Sequence, residues 1–166
     1  MAEPENDWKD WLDRHGPALV LLARQFVPSR ADAEDVVQEA FVRFWRSRTT
    51  VEEPAAYLFA CVKRCALDWQ RGRQRRMRRE EQVARPESES WFISNPEHRE
   101  RLATIEAALG ELPAEQVEVL VMKIWGELTF AQIAVALEIP TNTAASRYRY
   151  ALAKLREALA EEPSYE

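Results

Sequence analysis

The sequence predicts an all-α protein made of two small helical domains joined by a flexible linker. Only four Gly occur in 166 residues, and the chain is rich in Ala, Leu, Glu and Arg, which favour helix. Apolar residues recur at helical spacing, and no apolar and polar residues alternate over the length of a strand. Between the two halves this periodicity disappears and Pro, Ser and Glu become frequent, which is typical of a linker.

The first predicted domain, residues 5–79, contains three helical patterns. In the first pattern, Gly16-Pro17 either kinks one helix or divides it in two. The second begins after Ser29, with Asp32 three residues later in the manner of a helix start. Pro54 lies near the start of the third. The second pattern predicts a wide buried stripe of Val36, Val37, Ala40, Phe41, Phe44 and Trp45.

The second predicted domain, residues 98–161, follows a linker at 80–97 and ends in a helix-turn-helix layout. A capping box of Thr129 and Gln132 begins a short helix, and a tight turn at 138–140 leads into a longer one. This layout occurs both in DNA-binding proteins and in plain packing units. The predicted apolar stripes of the domain include Val117, Leu120, Val121 and Ile124, then Ala144, Tyr148, Leu152, Leu155 and Leu159.

Positive charge is concentrated in residues 63–79, which hold eight Lys and Arg and one Asp, although the formal net charge of the chain is -5. Such segregation favours a nucleic-acid surface, because each neutralised phosphate releases counterions. Trp69 lies within this segment and on its apolar stripe, which favours a place in the core over base stacking. The other interpretation of the segment is a solvated charged helix end.

The sequence gives little support to an enzyme or a metal site. His15 and His98 have no second ligand at metal spacing, and Cys61 and Cys65 fall on an apolar stripe. No Gly-rich phosphate loop or nucleophile motif is present, so we expect no cofactor. No apolar stretch approaches the roughly 18 residues needed to cross a bilayer, and the N-terminus is acidic, so we expect a cytoplasmic protein without membrane insertion.

Three segments resemble conserved regions two and four of the sigma-70 family, in its small extracytoplasmic-function (ECF) group. They are DAEDVVQEAFVRFWR (32–46), AYLFACVKRCALDWQRGRQRR (56–76) and the segment LGELPAEQ to KLREAL (109–159). The first is the most specific, because Ala33-Glu34-Asp35, Gln38-Glu39 and its aromatic residues match the family pattern in order and spacing. The resemblance implies a transcription initiation factor, not an enzyme, that binds core RNA polymerase and promoter DNA and is controlled by an anti-sigma factor.

The resemblance also implies where these partners bind. The polar face of the second helix would bind core polymerase, the third helix with its Arg-rich end would recognise and melt the minus-ten element, and the final helix would read the minus-thirty-five element. The matching polymerase-binding positions are Asp35, Gln38, Glu39 and Arg43; the minus-ten positions are Arg64, Asp68, Arg71, Arg73, Arg75 and Arg76; the minus-thirty-five positions are Asn142, Thr143, Ala145, Ser146, Arg147, Arg149 and Tyr150.

Three positions depart from the family pattern and leave other functions open. Arg64 replaces the usual Asn before the apolar-Asp segment, while Ala145 and Tyr150 replace residues that are commonly basic. Each lost cation weakens attraction to phosphate. The alternative is therefore a sigma-derived DNA-binding regulator that does not programme polymerase. A third hypothesis is a protein-interaction module that docks on a regulator through Trp91, Phe92 and its apolar helices, and binding that is insensitive to salt would favour it.

Overall fold

The computed structural model describes residues 4–79 and 99–161, and these residues contain helices and no strand. The predicted all-α class is therefore confirmed, and the predicted linker at 80–97 lies outside the described residues. The helices are α1 (Pro4–Ala23), α2 (Arg30–Ser47), α3 (Pro54–Arg79), α4 (Arg99–Glu111), α5 (Ala114–Ile124), α6 (Phe130–Leu137) and α7 (Thr141–Ala160), with a short 3-10 turn at Arg48–Thr50.

Helices α1, α2 and α3 pack against one another and are called the N-terminal unit here. Helix α1 continues through Pro17, so Gly16-Pro17 does not divide the first pattern into two helices. Ser29 caps α2 as predicted, because its Oγ accepts a hydrogen bond from the Asp32 backbone N–H at 3.1 Å. Phe44 of α2 is fully buried, and its ring lies 5.1 Å from that of Trp11 and 6.2 Å from that of Tyr57.

Helices α4 to α7, the C-terminal unit, carry the predicted helix-turn-helix. The Thr129 side chain accepts from the Gln132 backbone N–H, and the Gln132 side chain accepts from the Thr129 backbone N–H, which completes the capping box. Glu138 ends α6 in the left-handed region at φ 54. The Ile139 backbone N–H then donates to the Ala134 carbonyl at 3.0 Å, which closes the turn into α7.

Some predicted stripe residues are less buried than their spacing suggests. Ile124 is 40% exposed and Leu159 is 38% exposed, since each lies near the end of a helix where fewer neighbours cover it. Phe41 and Trp45 are half-buried, and their rings stack on each other at 5.8 Å. Helical spacing therefore identifies the apolar face of a helix, but not how much of that face is buried by neighbouring helices.

The buried apolar residues of the two units form one continuous cluster. Helix α3 contacts α6, and α1 contacts α5. A Cβ added to Gly126, in the turn between α5 and α6, would lie 2.8 Å from Phe59 Cζ of α3 and 2.6 Å from the Met122 carbonyl oxygen. Gly126 thus permits a close approach of the two units. The predicted domain limits, 5–79 and 98–161, remain predictions, because the buried cluster is continuous across both units.

His15 of α1 is buried at this junction. Its ring stands edge-on to that of Phe59 at 6.0 Å and lies 5.1 Å from that of Trp11. Burial lowers the pKa of His15, and the neighbouring charge of Arg14 lowers it further, whereas Glu127 acts in the opposite direction. The neutral form of His15 is therefore favoured in the folded protein.

No helix in the described ranges is long and apolar enough to cross a membrane.

Replacing Phe44 with Ala should leave a cavity in the N-terminal unit. We expect the free energy of unfolding to fall by about 3–5 kcal/mol, since a fully buried aromatic side chain is removed. Urea denaturation measures this loss. The control is Val42→Ala on the same helix, where the side chain is 52% exposed and we expect a change within about 0.5 kcal/mol. Equal effects of the two substitutions would contradict the packing described.

Acidification should destabilise the protein through His15. Because its folded pKa lies below the ordinary 6.5, the contribution of the neutral ring is fully present above that value and is lost as pH falls through 6.5 toward the folded pKa. Urea denaturation between about pH 7.5 and about pH 5 should show a larger loss in the wild type than in His15→Phe, which keeps the ring contacts but cannot titrate. A parallel decline in both proteins would rule out this role.

Candidate functional site

The outer face of α2 presents a mixed polar and apolar surface. All four residues predicted there are exposed, and they sit beside Val42, which is 52% exposed. They lie on one side of the helix because the apolar stripe faces α1 and α3. This surface, called the α2 face, consists of Asp35, Gln38, Glu39, Val42 and Arg43.

Arg43 connects the α2 face to α3. Its Nη2 donates to Glu39 Oε1 at 2.5 Å, and its Nη1 lies 4.0 Å from Asp68 Oδ2. Asp68 also pairs with Arg71, one turn further along α3, at 3.6 Å. The side chains of these residues are about half exposed, so each pair contributes little stability by itself. Together they place residues of the predicted polymerase surface and of the predicted minus-ten surface in one network.

The basic end of α3 projects from the N-terminal unit. Arg64, Arg71, Arg75 and Arg76 are exposed, whereas Arg73 is half-buried, with its guanidinium 5.5 Å from the Trp69 ring. The Trp69 ring is half-buried against the core, in agreement with a packing role. The six predicted minus-ten residues, which are called the α3 face, therefore lie along one helix: Arg64, Asp68, Arg71, Arg73, Arg75 and Arg76.

The two cysteines of α3 are buried and free. Burial raises the pKa of both the Cys61 and the Cys65 thiols, so they remain protonated and unreactive near neutral pH. Elsewhere in the part of the chain that the structure describes, no group of three or more His, Cys, Asp or Glu side chains is placed to hold a metal ion.

Helix α7 divides its predicted residues between two environments. Asn142, Arg149 and Tyr150 are exposed, with Tyr150 at 66%, while Thr143, Ala145 and Ser146 are half-buried. The Arg147 side chain is 26% exposed, and its Nη2 lies 3.4 Å from Glu115 Oε2 on α5. Arg147 is therefore directed toward α5. Only part of the seven-residue set faces outward.

A groove of about 820 Å³ separates part of the α3 face from the end of α6. Arg64, Asp68 and Arg71 line one side, and Val135 and Glu138 line the other. Val135 is 59% exposed, so an apolar group faces this space from the C-terminal unit.

Sequence reasoning missed the polar contacts between the two units. Lys63 Nζ of α3 donates to Glu118 Oε2 of α5 at 3.1 Å, and Glu118 is only 4% exposed. Gln132 Nε2 of α6 also donates to Glu53 Oε2 at 3.3 Å. The available signal was Glu118 itself, a carboxylate inside the apolar run of α5, because a buried charge requires a partner.

Both units match known protein families. Residues 11–76 match the family described as Sigma-70 region 2, and residues 102–155 match Sigma-70, region 4. The RNA polymerase sigma-E factor of Streptomyces coelicolor is 30% identical over 156 residues, which cover 92% of this chain and 86% of that protein. The ECF RNA polymerase sigma factor SigL of Mycobacterium tuberculosis is 32% identical over 155 residues, with 90% and 86% covered.

Solved structures share the fold. The sigma factor RpoE from Bartonella quintana, in complex with the anti-sigma factor NepR, aligns with a TM-score of 0.73 at 22% identity and covers 95% of this chain and 99% of its own. CnrH in complex with the cytosolic domain of CnrY aligns with a TM-score of 0.63 at 25% identity, and 96% and 91% are covered. Both alignments extend over the N-terminal and the C-terminal unit.

Proposed function

Since the chain belongs to the ECF group of the sigma-70 family, we propose that it is a transcription initiation factor that binds core RNA polymerase in the cytoplasm and directs it to specific promoters. One observation carries this function: regions two and four of the family are both present in a single chain, over residues 11–76 and 102–155. The protein is not an enzyme; it supplies promoter specificity to one.

The α2 face is the proposed polymerase-binding surface. Its polar residues are exposed on one side of a helix whose other side is fully packed, so a partner can bind there without unfolding the unit. Val42 adds exposed apolar area toward the C-terminal end of this face. Apolar area beside polar side chains is common in protein interfaces.

The α3 face is the proposed minus-ten surface. Its five Arg residues can neutralise phosphates of a melted strand, while Asp68 is held in place by Arg43 and Arg71. Because Arg43 also pairs with Glu39, polymerase bound at the α2 face would contact the network that positions Asp68. Arg64 brings a cation where the family usually has Asn, so we propose stronger phosphate contact and less base readout there.

The exposed side of α7 is the proposed minus-thirty-five surface. Asn142 and Arg149 can donate to phosphates or base edges, and the exposed Tyr150 ring can contact apolar base edges such as the thymine methyl. Arg147 is paired with Glu115 of α5 and is less available to DNA than Arg149. Ala145 supplies no donor.

An anti-sigma factor is the proposed regulatory partner. The structures of RpoE and CnrH were both obtained with another protein bound, which is named an anti-sigma factor in the case of RpoE. The alternative function is a sigma-derived regulator that binds DNA without programming polymerase. The departures from the family pattern at Arg64, Ala145 and Tyr150 suggest it, and failure to bind core polymerase would identify it.

Changing Asp35, Gln38 and Glu39 to Ala should abolish co-purification with core polymerase and run-off transcription from a promoter library. The fold should remain intact, because these side chains are exposed. The control removes the same negative charge at the end of the chain, through Glu157→Ala and Glu161→Ala, and should transcribe normally. Normal transcription by the triple variant, with unchanged helix content, would contradict the proposed surface.

Arg149→Ala should weaken binding to the upstream duplex of a promoter selected in that assay. Because one phosphate contact is lost, the slope of log K against log salt concentration should become less steep by about 0.9. Lys154→Ala, five residues further along α7 and also exposed, serves as the control and should keep the wild-type slope. An unchanged slope in Arg149→Ala would remove that residue from the DNA surface.

A further inference from the structure

We propose that Tyr150 of α7 selects a thymine in the upstream promoter element, by apolar contact between its ring and the 5-methyl group of that base. The inference rests on the proposed function, because it names the base chemistry that the proposed minus-thirty-five surface recognises. It makes Tyr150 a specificity-determining residue at a position where the family commonly has a cation.

Tyr150 has the exposure that contact with another molecule requires. It is 66% exposed, the largest value among the exposed large apolar residues in the part of the chain that the structure describes. Tyr148, two residues earlier, is half-buried, and its ring stands edge-on to that of Phe130 at 5.5 Å. One of these two tyrosines thus packs inside the C-terminal unit, while the other is presented to solvent.

Tyr150 lies on the side of α7 that can enter a groove of DNA. Asn142 and Ser146 precede it by eight and four residues, so the three side chains share one side of the helix. The fully buried Ala144 and Ala151 mark the opposite side. Eight residues of helix extend about 12 Å, the length of roughly three to four base pairs, so Asn142 and Tyr150 can contact different base pairs of one element.

The cations nearest to Tyr150 in the sequence are engaged elsewhere. Guanine is most often read by Arg or Lys, through two hydrogen bonds to its O6 and N7. The first half of α7 contains two cations, Arg147 and Arg149. Arg147 Nη2 lies 3.4 Å from Glu115 Oε2 of α5, and Arg149 Nη2 donates to Ser146 Oγ at 3.4 Å. The position of Tyr150 therefore reads its base pair without a cation.

The tyrosine ring distinguishes bases by their apolar edge. In the major groove, thymine presents a methyl group that the other three bases lack. Burial of a single methyl group strengthens binding by about fourfold. A guanine in the same place would set its O6 and N7 acceptors against an apolar ring, which weakens binding because these acceptors lose water without gaining a donor.

The experiment removes one methyl group at a time. Full-length protein assembled with core polymerase first selects promoters from a library. The apparent Kd of this holoenzyme is then measured on a selected promoter in which deoxyuridine replaces each thymine of the upstream element in turn, because uracil lacks only the methyl group. We expect the Kd to rise about fourfold at one position and to change little at the others.

Substitutions of Tyr150 assign that position to its ring. Tyr150→Ala should bind thymine and uracil there with equal affinity, whereas Tyr150→Phe, which loses only the hydroxyl, should keep the fourfold ratio. Tyr150→Arg should prefer guanine at the same position. Because Tyr150 is exposed, all three variants should keep the wild-type helix content.

Helix α7 offers two matched controls. Lys154→Ala removes an exposed side chain one turn beyond Tyr150 and should keep the ratio of thymine to uracil affinity. Arg149→Ala should weaken binding to the thymine and the uracil promoter alike, since a phosphate contact does not depend on the base.

The outcomes separate the role of Tyr150 from the proposed function. A wild type that transcribes from no promoter of the library overturns the proposed function, and the role of Tyr150 with it. A wild type that transcribes, but whose selected upstream element has no thymine or does not respond to uracil, overturns the role of Tyr150 alone. The same conclusion follows if Tyr150→Ala keeps the fourfold ratio, or if it weakens binding to core polymerase without changing the base preference.

Discussion

Every helix of this protein depends on covering its apolar face with neighbouring helices, because isolated helices of 8 to 26 residues gain little stability from backbone hydrogen bonds alone. That constraint gathers the buried residues of both units into one cluster. It also determines where function can be located, since only the faces turned away from the cluster remain free for partners. The α2 face, the α3 face and the exposed side of α7 are all of this kind.

The proposed surfaces are coupled through few side chains. Arg43 pairs with Glu39 on α2 and approaches Asp68 on α3, so the proposed polymerase surface and the proposed minus-ten surface share a charged network. Such half-exposed pairs contribute little stability. In the proposed function, polymerase bound at the α2 face would contact the charged network that includes Asp68.

The junction joins this arrangement to the C-terminal unit. Lys63 lies directly beside Arg64, yet the two have different environments: Arg64 is exposed, while Lys63 is paired with the buried Glu118. One basic segment thus holds both residues proposed to contact nucleic acid and a residue that contacts the other unit. In the sequence, both residues belong to the same run of positive charge, and charge alone does not distinguish them.

The sequence by itself determined the fold class, the cap at Ser29, the capping box at Thr129 and the family, because local propensity and spacing depend on neighbours along the chain. Only the tertiary structure decided the pairing of Lys63 with Glu118, 55 residues apart, and the tie between Arg147 and Glu115. Such pairs depend on how separate helices pack. Periodicity shows which face of a helix is buried but not which neighbour covers it.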